Sequence, residues 1–313
     1  MEKQMDVVCI GMMIADVLVQ GVPGDLFEKE VSMAQRVCIS TGGDALNQAI
    51  VLSHLGHTVR IVSRIGKDTV GMFVKGMVEN NGIDTSYVSV KDNTNTTTNV
   101  VMIREDGERT FISHPGSLEE LSGEDVPTKA VENCKVLSVG SLCAHPQLKD
   151  EDLVRIFKCA KENGAYICAD IIMGNKGLHL DSYKNALKYV DFIFPNEEEG
   201  TFHTGKTTPS DIADAFLAYG VKNVIVSMGK KGCYIKNAEE EMTIPAYLVT
   251  PLDTTGAGDN FAAGFISGLV RGYKLKDAAR MGCAAASLAV RKLGATAGVE
   301  SYAQIEQVMS AED

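Results

Sequence analysis

From Val136 onward the sequence alternates short apolar runs with amphipathic stretches, and glycines mark many of the boundaries. Val136–Val139, Tyr166–Ala169, Phe192–Phe194 and Val224–Val226 read as strands. Asp150–Asn163, Tyr183–Tyr189, Glu197–His203 and Pro209–Tyr219 read as helices between them. Strands this apolar have no wet face. Followed in turn by helices, they require a parallel sheet covered on both sides. The chain opens in the same way, with strand Val7–Ile10 ending at Gly11, a helix from TGGDALN (Thr41–Asn47) to Leu55, strand Thr58–Ser63, and helix Asp68–Asn81 stopped by Gly82. The fold class is α/β, and ligands of such sheets gather beyond the carboxyl ends of the strands.

Two regions depart from this rhythm. Met12–Ser40 contains strand-like pieces, Val17–Val19 and Arg36–Ile39, among the breakers Gly21, Pro23 and Gly24. Tyr87–Val90, Thr97–Ile103 and Arg109–Ile112 read as strands with no helix between them. Glu105-Asp106-Gly107-Glu108 supplies a hairpin turn, since Asp-Gly tolerates positive φ. These pieces are expected to form a small sheet standing off the main body. The chain ends in an alanine-rich helix, Leu275–Lys292, and a last helix, Ser301–Met309.

The stretch Leu252–Gly272, LDTTGAGDNFAAGFISGLVRG, carries the strongest chemical signal. Phe261, Phe265 and Leu269 recur every four residues, flanked by Ala262, Ile266 and Val270, so a buried helix is expected with Gly272 at its left-handed stop. Asp253, Thr254 and Thr255 are candidates to cap its start. Gly256, Gly258 and Asp259 then fall at its first turn, where backbone N–H groups lack helical partners and the helix dipole is positive. Glycines there let a phosphate approach the amides. A carboxylate would repel that phosphate, unless its task is to take a proton from a nucleophile beside it. By itself Gly-x-Gly-Asp fits a helix cap as well as a site.

Composition removes other classes. A formal net charge of −11 over 313 residues gives no basic field to draw nucleic acid. No apolar stretch is long enough to span a bilayer, and Met1–Met13 lacks the long apolar core and small-residue cleavage site of a signal peptide. The eight cysteines form no CxxC pair and several lie inside apolar runs, so they read as free thiols of a reducing cytoplasm. The histidines are scattered, which disfavours a zinc site. Gly11 is not followed by the G-x-G-x-x-G spacing of a dinucleotide-binding turn.

Taken together, Gly42-Gly43 with Asn47, Asn196-Glu197-Glu198-Glu199, and DTTGAGDNF resemble the PfkB, or ribokinase-like, family of carbohydrate kinases in motif order and over nearly the whole chain. The resemblance implies a ribokinase-like fold in a single domain, 1–313, with a mostly parallel sheet between helices and a small β-sheet lid from segments 12–40 and 97–114. It implies an ATP-dependent phosphotransferase acting on a hydroxyl of a small sugar-like substrate. Asp259 is then the base, and Gly256, Ala257 and Gly258 supply amides to the developing charge. Asp16, Gly42, Gly43 and Asn47 cradle the substrate. Asn196, Ser227, Gly229 and Gly232 belong to the nucleotide site, and Glu199 to Mg2+ through water, while Glu197, Glu198, Lys230 and Lys231 are solvated. Asp253 and Thr255, with Arg291–Gly298, resemble a monovalent-cation (K+) loop, although Gly298 lacks the hydroxyl often found there.

The lid also implies a homodimer. Gly140-Ser141-Leu142-Cys143 departs from the pattern, because ribokinases themselves offer a carboxylate there. The polar run Asp92–Asn99 and Arg104 are therefore candidates for reading another sugar, a sugar acid or a nucleoside. A nucleoside kinase and a non-catalytic sugar or nucleotide sensor remain the alternatives.

Overall fold

The computed structural model describes residues 4–104 and 108–311. In chain order the elements are β1 (Met5–Ile10), β2 (Ile14–Val22), β3 (Arg36–Gly42), α1 (Asp44–His54), β4 (Val59–Gly66), α2 (Thr69–Asn80), β5 (Asp84–Lys91), β6 (Thr98–Arg104), β7 (Arg109–His114) and α3 (Gly116–Glu120). Then come β8 (Cys134–Leu142), α4 (Asp150–Glu162), β9 (Tyr166–Ile171), β10 (Phe192–Phe194), α5 (Glu197–Thr204), α6 (Pro209–Ala218), β11 (Asn223–Ser227), β12 (Cys233–Asn237), β13 (Glu241–Ile244), α7 (Ala257–Val270), α8 (Leu275–Ala289) and α9 (Tyr302–Ser310).

The main sheet runs β13-β12-β11-β10-β9-β8-β1-β4-β5, parallel from β11 to β5, with β12 and β13 antiparallel at one edge. Strand β1 lies inside it, between β4 and β8, so successive crossovers leave to opposite sides and a crevice opens at its carboxyl end. The strands are buried on both faces, and alternate residues of β1 enter different cores. Val7 and Cys9 pack with α1, α2, α7, α8 and α9 through Leu46, Val74, Phe265, Met281 and Ile305. Val8 and Ile10 pack with α4 and α6 through Leu153, Phe157 and Phe216. The expected α/β architecture is the observed one.

A second sheet, β3-β2-β6-β7, stands apart from the first. Its register puts Ser40, Asp16, Asn99 and Ser113 in one row, and Ile39, Val17, Val100 and Ile112 in the next. Side chains alternate faces along a strand, so the polar row and the apolar row point opposite ways. The turn expected at Glu105–Gly107 lies outside the described residues.

Two expectations need correction, and one hairpin had no expectation to correct. Tyr87–Val90 belongs to β5 at the edge of the main sheet, because α2 carries the chain over from β4 into a parallel pairing. Tyr183–Tyr189 is not one α-helix but part of two 3-10 turns, Leu180–Tyr183 and Leu187–Tyr189. In the first of these turns the buried positions Leu180 and Tyr183 are three apart, the spacing of that tighter helix. The hairpin β12–β13 went unread, its short strands hidden in a mixed polar stretch.

Helix α7 is gripped on two sides. Phe265 meets Phe192 and Phe194 of β10, with ring centroids 5.2 Å apart in both pairs. Toward α8 it presents glycine. A Cβ on Gly264 would lie 2.8 Å from both the Ala285 Cβ and the Met281 carbonyl oxygen, and one on Gly282 would lie 2.8 Å from the Phe261 carbonyl oxygen. Gly272 follows the helix at φ +79°, the stop the sequence pattern requires. By contrast Gly76, inside α2, faces open space. Gly264→Ala is therefore expected to destabilise by about 1–3 kcal/mol, whereas Gly76→Ala stabilises by about 0.5–1 kcal/mol. Chemical denaturation of the two variants against wild type checks the opposite signs.

Candidate active site

The site is organised by the start of α1. A Cβ on Gly11 would lie 2.8 Å from the Ala45 Cβ and 2.9 Å from the Gly140 carbonyl oxygen, and one on Gly140 would lie 2.6 Å from the Ala45 amide nitrogen. The first turn of α1 is thus nested on the ends of β1 and β8 at backbone contact. Gly43 precedes it at φ +99°, and a Cβ there would strike the Met12 carbonyl oxygen at 2.7 Å. This seating fixes Asp44 and, one turn on, Asn47.

Asn47 Nδ2 donates to Asp259 Oδ2 at 2.7 Å, joining α1 to α7. Asp259 is buried in the first turn of α7, as expected. The cap is not. Gly256 occupies the N-cap position in the left-handed region, φ +73°, with no side-chain cap, and a Cβ there would lie 2.7 Å from Ala295 Cα. Asp253 instead accepts from the Thr255 amide (3.0 Å), the Thr255 hydroxyl (2.7 Å) and the Gly294 amide (3.0 Å), tying two loops together. The Ala257 amide donates to the Thr254 carbonyl at 3.2 Å, so it is already engaged. Gly258 and Asp259, second and third in the helix, have no acceptor within it, and a Cβ on Gly258 would meet nothing within 4 Å. That face of the helix end is open.

Two further carboxylates stand beside Asp259. Ligand oxygens of Asp44, Asp170 and Asp259 all lie within 4.8 Å of one another. Asp170, near the end of β9, accepts from Gln48 Nε2 at 3.0 Å, and Gln48 Oε1 accepts from Ser138 Oγ at 2.8 Å. Asp44 accepts from the Ser141 hydroxyl. Burial, then the neighbouring charge of Asp44, hold Asp259 well above the usual carboxylate range. Burial and the charges of Asp44, Asp259 and Glu199 do the same to Asp170. Burial pushes Glu199 up to about 7. Sequence reasoning missed Asp44, Gln48 and Asp170. The available signal was a carboxylate closing an apolar parallel strand, and another inside TGGDALN at the start of the next helix.

Asp16, on β2, accepts from Asn99 Nδ2 at 2.9 Å, and burial raises its pKa. Its carboxylate lies over Gly42, where a Cβ would come within 2.2 Å of Oδ2. Asp16, Gly42, Gly43, Asn47 and Asp259 are therefore brought together in sequence around one helix start. Most of the polar run has another role. Thr94, Thr96 and Thr97 are buried, bonded to Glu120, to Asp68 and to Pro115 respectively, and only Asn99 reaches toward Asp16. Arg104 is exposed and paired with Glu108.

Asn196 and Glu199 form a capping box, Asn196 Oδ1 accepting from the Glu199 amide (2.8 Å) and Glu199 Oε2 from the Asn196 amide (2.9 Å). Asn196 also bridges to Ser227, where β10 and β11 end side by side. Gly229 has a positive φ, +56°, and open surroundings. Gly232 is required by packing, since a Cβ there would lie 1.9 Å from the Ile244 carbonyl oxygen. At Gly298 a Cβ would lie 2.4 Å from Ala289 Cα, so the position excludes the hydroxyl-bearing side chain expected of it.

Comparison with known proteins resolves what class of site this is. Residues 4–301 match the family model described as pfkB family carbohydrate kinase. The chain belongs to the pfkB family of carbohydrate kinases. It is 30% identical to an ATP-dependent 6-phosphofructokinase of Thermoanaerobacterium thermosaccharolyticum over 94% of this chain and 90% of that one. It is 29% identical to a ribokinase of Staphylococcus aureus, over 85% and 87%. Among solved structures, the ribokinase of Thermotoga maritima superposes with a TM-score of 0.83 at 25% identity, over 98% and 99% of the two chains. An Arabidopsis thaliana ribokinase complexed with ribose and ATP gives 0.83 at 26%, with the same coverage. As a pfkB kinase the chain is an ATP-dependent phosphotransferase of the carbohydrate class, on the ribokinase-like fold its motifs imply.

The clustered acids set the pH dependence of the ligand-free protein. A carboxyl whose folded pKa is raised stabilises most below its unfolded pKa, and that contribution is lost as pH rises through the folded value. Asp44, Asp170, Asp259 and Glu199 are all of this kind. Asp6, Asp68 and Asp84 are lowered and act oppositely, below the usual carboxylate range. Between about pH 5 and pH 7 these raised acids pull thermal stability down as pH rises, while His57, His145 and His203, whose pKa burial lowers, push it up until about 6.5. Glu199→Gln, which keeps the capping box, should remove the part of that pull that ends near pH 7, so that the variant gains stability relative to wild type as pH rises toward 7. Melting curves across this range for both proteins check it.

Proposed function

We propose that Asp259 is the general base of phosphoryl transfer from ATP to a hydroxyl of a small sugar. The observation that carries this is a buried carboxylate in the first turn of α7, beside the open face of Gly258. Asp16, Gly42, Gly43 and Asn47 hold the sugar so that the accepting hydroxyl meets Asp259. Asp259 takes the proton as the hydroxyl oxygen bonds the γ-phosphorus and the bond to ADP breaks. The Gly258 amide faces the charge on the transferring group, while that of Ala257 is held by the Thr254 carbonyl. Asn196, Ser227 and Gly229 line the strand ends where the nucleotide lies, and Gly232 shapes their loop.

Oxygen donors suit a hard cation, and the buried carboxylates have excess negative charge to neutralise. Asp170, and Glu199 through water, would hold Mg2+. When bound, the ion neutralises phosphate charge during transfer. Asp253 and Thr255, with the carbonyls of 291–298, would form a K+ loop. Kinetics in potassium against tetramethylammonium chloride tests that assignment.

The chain works as one unit, 1–313, with the small sheet as a lid whose Asp16 and Asn99 face covers the sugar and excludes water. Its apolar face leaves Val37, Ile39 and Ile112 each more than half exposed. A second copy of this chain is the partner that covers it. Light scattering should give a dimer, which Ile39→Lys converts to monomer. The free cysteines, among them six buried ones, fit a reducing cytoplasm. Among the described residues no helix is long and apolar enough to cross a membrane.

A coupled ADP assay over D-ribose, D-fructose, D-tagatose, 2-keto-3-deoxygluconate, fructose 6-phosphate and adenosine identifies the substrate class and separates a sugar from a nucleoside kinase. Asp259→Asn should lower kcat by roughly 10²–10⁴-fold, with sugar affinity by calorimetry changed only severalfold. Undiminished turnover would remove Asp259 from this role, and a wild-type protein that binds sugar and ATP without turnover would be a sensor.

A further inference from the structure

The reaction as assigned gives no part to Gln48 or Ser138, yet these two polar side chains are 0% and 1% exposed. Gln48 lies in the second turn of α1 and Ser138 on β8. The layer around them, between α1 and the sheet, is built mainly from residues such as Val7, Cys9, Ala49, Val136 and Cys168. A buried amide or hydroxyl is costly there unless it is hydrogen-bonded. Two apolar side chains of the same shape would fill the layer at no such cost. The pair leads to an acid. In the parallel register of β8 and β9, Ser138 is level with Cys168, so Asp170 is the next residue of β9 on that face.

Gln48 connects the two strands from the helix side. Ser138 Oγ donates to Gln48 Oε1 at 2.8 Å, and Gln48 Nε2 donates to Asp170 Oδ2 at 3.0 Å. With Oε1 held by the serine, the amide nitrogen is fixed toward Asp170. Asn47, the residue before it, donates to Asp259 Oδ2 at 2.7 Å. Consecutive amides of one helix therefore hold two acids, one on β9 and one on α7, whose oxygens lie within 4.8 Å of each other. Burial, Asp44 and Glu199 raise the pKa of Asp259, and the hydrogen bonds that oppose them come from Asn47 and from Gln48 itself. Two carboxyls this close otherwise relax by sharing a proton, which would tie Asp170 to Asp259.

We propose that Gln48, held by Ser138, is a positioning residue whose amide fixes the rotamer of Asp170 for a divalent cation and keeps that carboxylate from closing onto Asp259. Hydrogen-bond partners behind a metal-binding carboxylate set its orientation, and with it the affinity of the site. Ser138 acts one step further back, by choosing which end of the amide faces the acid. Gln48 itself is sealed between α1 and the sheet, so it works through the acids alone. The inference rests on the kinase reading above for its effect on turnover. Its effect on metal binding needs only the oxygen donors.

The test compares wild type with Gln48→Leu, Ser138→Ala, Asp170→Asn and the double variant of Gln48→Leu with Asp170→Asn. Mn2+ binding is read by electron paramagnetic resonance, with and without ADP. In parallel, kcat and KM are measured at varied Mg2+ with the best sugar of the panel. Gln48→Leu should weaken Mn2+ binding about 10- to 100-fold and lower kcat by up to about 100-fold, with KM for the sugar unchanged. Ser138→Ala should show the same pattern, smaller. Because Gln48 acts through Asp170, adding Asp170→Asn to Gln48→Leu should weaken Mn2+ binding much less than Asp170→Asn does in wild type. A role in packing alone would lower the melting temperature and leave Mn2+ affinity where it is. Unchanged Mn2+ affinity in Gln48→Leu, or fully additive losses in the double variant, would overturn the proposal. So would a wild type that binds no Mn2+ in either state. If Gln48→Leu does not fold, Ser138→Ala decides, and unchanged Mn2+ affinity there overturns it. If the Mn2+ results are as expected but no sugar is phosphorylated, the kinase reading fails and the role of Gln48 stands.

Discussion

The seating of α1 on bare backbone is the constraint from which the site follows. Gly11 and Gly140 close two adjacent parallel strands, and neither has space for a side chain beneath Ala45. Because of that contact, Asp44 and Asn47 reach over the strand ends rather than into solvent. The 2.7 Å bond from Asn47 to Asp259 then sets α7 relative to α1. Helix α7 is itself held from behind by Phe192 and Phe194 and from the side by α8 at glycine distance. Asp259 is thus placed by two rigid helices and a sheet, with no flexible loop between it and Asn47.

Packing explains position but not how so many acids coexist. Asp44, Glu199 and Asp259 each sit in the first turn of a helix, namely α1, α5 and α7. Three positive helix ends therefore converge where the carboxylates do, and each offsets part of the cost of its own acid. Asn47, Gln48 and Ser141 add donors. The offset is incomplete, which is why burial still holds Asp259 and Asp170 well above the usual range. A site in this state favours protons, cations and hydroxyl donors.

What was legible in the sequence was periodicity and punctuation. Parallel strands buried on both faces announce themselves as apolar runs, and α7 did so through Phe261, Phe265 and Gly272. Asp259 could be placed at its first turn because glycines and a carboxylate there make little sense as plain helix. The misreadings share a cause in tertiary pairing, which no local pattern encodes. Val88 and Val100 lie in equally apolar runs, but α2 carries the first into the main sheet and not the second. Asp44 and Asp170 are far apart in the chain and meet only because β1, β8 and β9 are neighbours. Gly298 looked like a missing ligand, and the structure shows a position with no room for one.

The small sheet is coupled to this site more tightly than a hinged flap would be. Strand β3 ends at Gly42, Gly43 precedes α1, and Asp16 of β2 rests over Gly42, so the sheet runs directly into the helix that carries Asn47. On the other side, Thr96 is bonded to Asp68 at the start of α2, and the Thr97 hydroxyl links Pro115 and Leu118 at α3. Both roots of the sheet are therefore anchored to the main body. Movement that preserves these bonds must be a tilt of the whole sheet, with its rows of side chains kept in register. Such a tilt carries Asp16 and Asn99 together, as the pair they already form. The residues that would orient the sugar and those that would deprotonate it are then adjusted by one rigid displacement, about the same glycines that seat α1.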